Sequence, residues 1–384
     1  MRKQNPTKMM SMSAQFLINY AVPIIFIILV VFTIPLSGLS GEFLIREVML
    51  RLTRDSFIVL ALLIPITAGM GMNFAIVLGA MAGEISLIFI TDWRIVGISG
   101  MLLAMLISTP IAVLLGYFAG TVLNRAKGRE MVTGFMLSFF MNGIYQLVVL
   151  YGMGNIIPVS NPLILLPRGY GIRNAIDLLN IRQVLDKLIP LKIGSMVIPV
   201  ANILFIAALC VFIVYFKKTK LGQVIRTVGQ DNNIARAMGI NVGRIRILSI
   251  VISTVLACYG QIVFLQNIGT MNTYDAHGQV GVFAVAALLV GGATVAKANI
   301  SNVFIGIILF HTMFVVSPRA GKQLIGQAQL GEYFRVFVSY GVIAFSLALY
   351  AWRKRVEKEN ERRKVMILKK VLLRSNNTTR GDKF

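Results

Sequence analysis

The chain has 384 residues, of which 57% are hydrophobic and 14% are charged, and its mean hydropathy is +0.77. A soluble domain is about half apolar and a quarter charged, so this composition excludes a soluble or disordered chain. The net charge of +23 would suit a nucleic-acid-binding protein, but the basic residues lie in short clusters between long apolar runs. That pattern is typical of a multi-pass membrane protein, and it disfavours nucleic acid as a partner.

Ten apolar spans can be placed along the chain, and most are long enough to cross a bilayer. The first is longer than a signal-peptide core, so we expect an anchor helix there. The second and third are divided at Gly69-Met70-Gly71, where one broken helix is the alternative. We predict an all-α polytopic membrane protein with about ten transmembrane helices, some of them broken. The spans cover about residues 16–36, 57–69, 72–90, 95–122, 131–152, 196–216, 247–266, 280–295, 303–316 and 335–352.

The basic residues predict the orientation of the chain. With ten spans both termini lie on one side, and the loops of that side hold 26 of the 38 Lys and Arg residues. Basic loops remain in the cytoplasm, so we expect both termini there. The membrane domain then covers 1–352, and the basic tail 353–384 is expected to lie on anionic lipid. The basic loops are 1–15, 123–130, 217–246, 296–302 and 353–384.

Three local patterns predict further structure. The spacing of apolar residues over 174–189 predicts a helix that lies on the membrane surface. Glycines four positions apart, Gly79 with Gly83 and Gly116 with Gly120, predict close helix contacts. The Gly-interrupted second and third spans in one half, and short eighth and ninth spans in the other, favour broken helices beside a translocation path.

The chain shows no sign of a catalytic or metal site. Its two histidines, His277 and His311, belong to different segments, and neither has a Cys, Asp or Glu at metal-ligand spacing. The phosphate-binding pattern G-x-x-x-x-G-K-[ST] does not occur. We therefore predict that the chain is not an enzyme and binds no cofactor, and that any ATP is used by another chain.

Polar residues within the spans are candidates for a solute path. Glu84 lies deep in an apolar run, where a carboxylate is costly, and the sequence offers it no Arg or His partner. It is either a proton relay or pore-lining group, or a carboxylate satisfied by neighbouring helices. Amides suit a neutral polar solute or hold helices together, and no buried positive cluster favours an anionic solute. The amides are Asn73, Asn142, Gln146, Asn202, Gln261, Gln266 and Asn267.

The segment 219–246, TKLGQVIRTVGQDNNIARAMGINVGRIR, predicts a short helix under the membrane. Gly229 and Gly239 bound it, and the polar residues 230–233 supply an N-cap. Its apolar residues Ile234, Ala237, Met238 and Ile240 indicate a partner, since an exposed apolar face usually binds one. An ordinary positive-inside loop is the alternative.

This segment resembles the coupling-helix region of ABC importer permeases, in the family that serves ribose, other simple sugars and nucleosides. The similarity covers about residues 57–352. ALLVGGATV (287–295) also resembles the Gly-Gly turn of that family, whereas GAMAGEISL (79–87) departs from the ribose-type sequence. The residues of the segment that match are Thr219, Gly222, Gly229, Ala235, Arg236, Gly239, Ile240, Asn241 and Val242.

The resemblance implies the membrane subunit of an ATP-driven importer in the plasma membrane of a prokaryote, with 1–352 as permease domain and 217–246 as its coupling segment. Its partners would be an ABC ATPase subunit, a second permease copy or homologue, an extracytoplasmic solute-binding protein and the lipid bilayer. The ATPase would dock on Asn233, Ile234, Ala235, Arg236, Ala237, Met238, Gly239 and Ile240. The path would include Asn73, Glu84, Asn142, Gln146, Gln266, Asn267, Gly291 and Gly292.

One rival function stays open at this point. A self-contained secondary transporter would couple transport to protons, with Glu84 as the proton carrier. Both functions fit a simple sugar or nucleoside-like solute, and the sequence specifies neither the solute nor whether two permease copies are identical.

Overall fold

A computed structural model describes residues 20–193, 196–327, 329–338, 340–348, 351–352 and 355, and most of them are helical. A 3₁₀ turn, Phe74–Ile76, leads into α4, and a π turn, Val148–Gly152, extends α6. The helices are α1 (Ala21–Ser37), α2 (Gly41–Ala61), α3 (Leu63–Thr67), α4 (Val77–Asp92), α5 (Gly97–Arg125), α6 (Glu130–Leu147), α7 (Val184–Leu188), α8 (Val200–Lys218), α9 (Lys220–Gln230), α10 (Asn232–Ala237), α11 (Val242–Ile268), α12 (Val280–Val290), α13 (Ile300–Ile325) and α14 (Gln329–Ala348, apart from residue 339).

Two antiparallel pairs of short strands join the loops of one face. β1 (Ala175–Asp177) pairs with β4 (Thr270–Asn272), and β2 (Pro190–Ile193) pairs with β3 (Met196–Pro199). We call the face that carries these strands the strand face. The opposite face carries the 219–246 segment, and we call it the basic face.

The helices confirm an all-α polytopic membrane protein. Within the described ranges, seven helices are long and apolar enough to cross a membrane: α4 with its 3₁₀ turn, α5, α6 with its π turn, α8, α11, α13 and α14. Two shorter apolar helices, α1 and α12, match the predicted first and eighth spans. The predicted second span falls on the end of α2 and on α3. The predictions for 1–19, and for the tail 353–384 except residue 355, lie outside the described residues.

Helix α11 forms the centre of the bundle and packs against α2, α4 and α5. Gly79 of α4 and Gly116 of α5 both lie against Thr254 of α11, and Gly83 and Gly120 continue these contacts one turn further on. Because glycine lacks a side chain, the backbones approach closely, and dispersion contacts replace the hydrophobic effect that lipid cannot provide. The predicted close contacts at these glycine pairs are confirmed.

The predicted division near Gly69 is confirmed, and Pro65 explains a second interruption just before it. Proline has no N–H, so the carbonyl of Ala61 loses its usual helical partner. Ser253 of α11 supplies the missing hydrogen bond, because its Oγ donates to the Ala61 oxygen at 2.9 Å. Gly69 and Gly71, at φ of +71° and +73°, then reverse the chain towards α4.

The predicted helix over 174–189 is wrong. Ala175–Asp177 is extended instead, because its backbone groups pair with β4 on the strand face. Only Val184–Leu188 is helical. Gln183, at φ +55°, has a left-handed backbone conformation, so the helix does not extend past it towards the N-terminus. A helical spacing of apolar residues was outweighed by strand pairing with a segment about 95 positions away in the sequence.

The predicted short ninth span is also wrong. Helix α13 has 26 residues, because it continues through Pro318 and past Arg319 to Ile325. Charged residues ended the apolar run in the sequence, but they did not end the helix. Of the two spans predicted to be short, only the eighth remains so, as the 11-residue α12.

We expect the contact between α12 and α13 to tolerate no added methyl group at Gly306. A Cβ there would overlap the carbonyl oxygen of Ala287, so Gly306→Ala should lower the free energy of unfolding by about 1–3 kcal/mol. The measurement is thermal unfolding of the purified chain in detergent.

Gly143→Ala is the matched control, since Gly143 is also helical and its Cβ would meet nothing within 4 Å. That change should leave the melting temperature unchanged or raise it, because alanine favours helix. Equal losses for the two variants would contradict the packing assigned to Gly306.

Candidate functional site

A buried polar cluster surrounds Glu84 of α4, and we call it the Glu84 cluster (Glu84, Asn142, Tyr145, Gln261 and His277). The Tyr145 hydroxyl donates to Glu84 Oε2 at 2.9 Å, and Gln261 Nε2 donates to Oε1 at 2.9 Å. His277 Nδ1 lies 2.8 Å from Oε2. Both carboxylate oxygens are therefore paired, and the expectation that Glu84 has no histidine partner was wrong.

His277 reaches this cluster from a loop on the strand face, 193 positions after Glu84 in the sequence. Its Nε2 lies 2.9 Å from Asn142 Oδ1, and its ring stands edge-on to Tyr145 at 4.7 Å between centroids. The two ring nitrogens of His277 thus connect Glu84 to Asn142 through hydrogen bonds inside the protein. The pairing of β4 with β1 holds the start of this loop in place. No local sequence signal reveals that pairing.

One other predicted path residue, Gln146, joins this cluster. Gln146 Nε2 donates to Asn142 Oδ1 at 3.4 Å and to the carbonyl of Tyr274 at 3.2 Å, so it ties α6 to the His277 loop. Asn73 lies apart, where its Nδ2 donates to Ser253 Oγ at 3.4 Å beside the helix interruption.

Gln266 and Asn267 lie near the strand face and contact Asp186 of α7. Asn267 Nδ2 donates to Asp186 Oδ2 at 2.9 Å, and Gln266 Nε2 lies 3.5 Å from the same oxygen. The Gln266 side-chain oxygen also accepts from the backbone of Leu185 at 3.4 Å. These contacts hold α7 against the end of α11.

Gly291 and Gly292 form the turn after α12. Asn302 Nδ2 donates to the Gly291 carbonyl at 2.7 Å, and a Cβ on Gly291 would overlap the carbonyl oxygen of Asn302. Gly292 has φ of +84°, which glycine adopts without strain. The eight predicted path residues thus occupy four separate places: Glu84 lies with Asn142 and Gln146, Gln266 with Asn267, Gly291 with Gly292, and Asn73 by itself.

A cavity of about 180 Å³ adjoins the Glu84 cluster, and we call it the first cavity. It combines aromatic surface with a few polar groups, as small-molecule sites do. Asn142 and His277 form part of its wall, so the cluster fixes the positions of groups that face the cavity. Its lining residues are Phe74, Val77, Phe135, Ser138, Phe139, Asn142, Asp275, His277, Gly278, Gln279, Gly281, Val282 and Tyr340.

A second cavity, of about 250 Å³, lies on the other side of Gln279, which lines both. Three arginines line it: Arg51 and Arg54 of α2, and Arg335 of α14. All three are half-buried, and they form a positive cluster that the sequence did not predict. In the sequence these arginines lie at the borders of distant spans, and only the packing of α2 near α14 brings them to one cavity.

The predicted short helix of the 219–246 segment is confirmed as α10. Asp231 caps it, because its side chain accepts from the backbone N–H of Asn233 at 2.7 Å and of Ile234 at 3.2 Å. Gly239, at φ +78°, follows its last turn. Its apolar residues divide into two groups, since Ala235 is fully buried whereas Ile234 is 57% exposed.

Other residues of the predicted docking set follow the same division. Met238 is 67% exposed, and Asn233, Arg236 and Ala237 are also exposed. Ile240 is half-buried and packs with Ala235, Val228 and Val242 in a small core beneath the helix.

The same segment contacts the interrupted helix of the bundle. Gly229 lies so close to Thr67 that a Cβ would overlap the Thr67 carbonyl oxygen, and it also lies against Gly69. At the other end of the segment, Arg246 forms a largely buried ion pair with Glu130, at the start of α6. The segment is therefore packed directly on the bundle at both ends.

Among the described residues no group of three or more His, Cys, Asp or Glu side chains could hold a metal ion. The absence of a bound cofactor remains a prediction. Outside the membrane, burial raises the pKa of the Tyr274 phenol, while nearby Arg168 lowers it. The Tyr274 hydroxyl donates to the Ile172 carbonyl at 2.7 Å, which fixes the start of the His277 loop on the strand face.

Comparison with known proteins identifies the family. The model of the family described as branched-chain amino acid transport system, permease component, matches residues 69–347, which is more than half of the chain. The chain belongs to this permease family. The probable ABC transporter permease protein YphD of Escherichia coli (strain K12) is 28% identical over 114 residues, covering 29% of the permease and 34% of that relative. The permease thus spans about a third of the length of this curated relative, and no solved structure matches it.

We expect Glu84 and His277 to contribute to the free energy of unfolding as a coupled pair. Glu84→Gln should lower the free energy of unfolding by about 1–3 kcal/mol, because it leaves a buried polar group of Tyr145, Gln261 or His277 without its hydrogen-bond partner. The measurement is thermal unfolding of the purified permease in detergent.

The double variant Glu84→Gln with His277→Gln is the control. It should lose less than the sum of the two single losses, with a coupling energy of about 1 kcal/mol or more. Strictly additive losses would mean that the pair does not interact as its geometry indicates.

Proposed function

We propose that this permease is the membrane subunit of an ATP-binding-cassette importer, and that it forms the translocation path for a small polar solute, a simple sugar or nucleoside-like molecule. The observation that carries the proposal is an exposed apolar pair, Ile234 and Met238, on a capped helix that is packed against the interrupted helix of the bundle. Family membership supports the same function.

The docking surface for the ATPase subunit is α10 and the turn that follows it, residues 233–240. Ile234 and Met238 present apolar area on an otherwise polar and basic segment, and such area is stabilised by a partner. Arg236 between them is exposed and can pair with an acidic residue of that partner. Because the surrounding loops are basic, the positive-inside rule places this face in the cytoplasm with both termini.

A displacement of the docked helix would reach the first cavity through packed contacts. Gly229 abuts Thr67 and Gly69, so movement of the segment displaces the end of α3. Ser253 Oγ of α11 donates a hydrogen bond to the Ala61 carbonyl of the same interrupted helix and accepts one from Asn73. Asn73 directly precedes the 3₁₀ turn, and Phe74 of that turn lines the cavity. Close-packed interiors transmit such shifts because they have little free volume. ATP hydrolysis occurs on the separate ATPase subunit, so the permease is neither an enzyme nor a binder of cofactor.

The first cavity is the solute site. Its amide, carboxylate and imidazole groups can hydrogen-bond hydroxyl groups or a base edge, and its aromatic walls can stack on a sugar face or a heterocycle. Asn142 contacts the solute directly, while Glu84 and Gln146 hold the His277 loop and Asn142 in place. Asn73, Gln266, Asn267, Gly291 and Gly292 support the path through the helix contacts described above.

The remaining partners follow from the two faces. A solute-binding protein in the extracytoplasmic space delivers cargo to the strand face and to the predicted outer loop 153–194. A second permease, identical or homologous, completes the path. The lipid bilayer of a prokaryotic plasma membrane surrounds the exposed apolar helices.

We expect docking to depend on the exposed pair of α10. Ile234→Glu with Met238→Glu should reduce solute-stimulated ATP hydrolysis of the assembled complex about tenfold or more, since charges replace apolar area in the contact. Hydrolysis is measured in proteoliposomes that contain permease, ATPase and binding protein.

Gln223→Glu is the control, because it adds one of these two negative charges at an exposed position of the neighbouring α9. It should change hydrolysis little. Unchanged coupling in the double α10 variant would exclude these residues as the docking surface.

We expect Asp275→Ala to weaken solute uptake, since Asp275 lines the first cavity. A lost hydrogen bond to a charged group is worth about 1.5–3 kcal/mol, so the solute concentration for half-maximal uptake should rise about tenfold or more. The assay measures radiolabelled ribose and adenosine in the same proteoliposomes.

Asp177→Ala, on the exposed strand β1, is the control and should leave uptake unchanged. Uptake of neither probe would contradict the proposed solute class. Uptake that continues without the ATPase and stops when a proton gradient is collapsed would instead support the secondary-transporter alternative.

A further inference from the structure

The second cavity has an unbalanced charge. Arg51, Arg54 and Arg335 line it, whereas Asp55 is the one acidic residue of its described lining. The carboxylate of Asp55 is already engaged: Arg54 Nε donates to Oδ1 at 3.2 Å, and His311 Nε2 lies 3.0 Å from Oδ2. The acids nearest to the other two arginines, Glu47 and Glu332, are not part of the lining.

Arg51 shows this deficit most clearly. Its Nε is buried and has no hydrogen-bond partner among the described residues, and its nearest acid, Glu47, lies 3.8 Å away on the same helix. Burial lowers the pKa of the Arg51 guanidinium, and the nearby Arg54 lowers it further. An acceptor inside the cavity would satisfy the buried Nε–H donor of Arg51.

Aromatic rings hold two of the guanidinium groups in position. Arg54 lies over the Phe264 ring at 4.7 Å, and Arg335 lies over the Phe314 ring at 4.5 Å. Arg335 also pairs with Glu332 on its own helix. Stacking on an aromatic face restrains the guanidinium plane and leaves its edge available for hydrogen bonds.

We propose that the second cavity binds a phosphate group. The planar guanidinium matches phosphate oxygens with paired hydrogen bonds, and arginines from two different helices can share one such group. The phosphate belongs either to the head group of an anionic phospholipid or to a dissolved phosphate ion. The apolar walls beside the arginines, formed by Ile58, Val59 and Phe283, accommodate the adjoining part of a lipid.

The test uses the full-length permease alone, so it does not depend on the proposed transport function. Retention of phosphatidylglycerol is measured by native mass spectrometry after transfer from mixed phosphatidylcholine nanodiscs, and binding of inorganic phosphate is measured by calorimetry in phosphatidylcholine nanodiscs. Arg51→Gln with Arg335→Gln should weaken binding about tenfold or more, because charged hydrogen bonds are lost. Arg51→Lys keeps the charge without the planar group and should lose less.

Arg46→Gln is the matched control, since Arg46 is exposed on the same helix and does not line the cavity. Saturable binding of the lipid alone identifies a head-group site, and saturable binding of phosphate identifies a site for the free anion. Either result supports the proposal if the double variant loses it and Arg46→Gln does not. Absence of binding to the wild type, equal binding by the double variant, or equal loss in Arg46→Gln would overturn it. The single variant Arg51→Gln is measured if the double variant does not fold.

Discussion

The burial of the Glu84 carboxylate is the constraint on which the centre of the permease depends. A charge enclosed in apolar protein costs several kcal/mol unless hydrogen bonds and a counter-charge compensate it. Three elements meet around this group: α6 through Tyr145, α11 through Gln261, and the loop after β4 through His277. The cluster therefore holds this loop, and with it one wall of the first cavity, against the bundle.

The same requirement explains how the interrupted helix survives within the membrane domain. Pro65 leaves the Ala61 carbonyl without its helical partner, and Ser253 replaces it from the neighbouring α11. Irregular backbone at this depth is stable only when protein groups satisfy it. The interruption also leaves a contact point on the basic face, where Gly229 of the 219–246 segment meets Thr67 and Gly69. The segment proposed to bind the ATPase thus packs against the interrupted helix formed by α2 and α3.

The loop with His277 and Gln279 separates two cavities of opposite character. The first is lined by aromatic rings, two amides and a carboxylate, which agrees with the polar solute proposed for it. The second is lined by three arginines, which agrees with the phosphate group proposed for it. Gln279 forms part of the wall of each cavity.

The sequence by itself determined the membrane class, the approximate positions of most helices, the close helix contacts at the glycines of α4 and α5 (though not their partner α11), and the capped helix α10. These features depend on hydropathy, on side-chain size four positions apart and on local hydrogen bonds, all of which are properties of neighbouring residues. Only the tertiary structure decided that Glu84 is paired with His277, that Ala175–Asp177 is a strand, and that Arg51 and Arg335 face one cavity. Each of these joins residues about 95 to 284 positions apart, and no local pattern encodes a contact whose energy exists only once distant helices have packed.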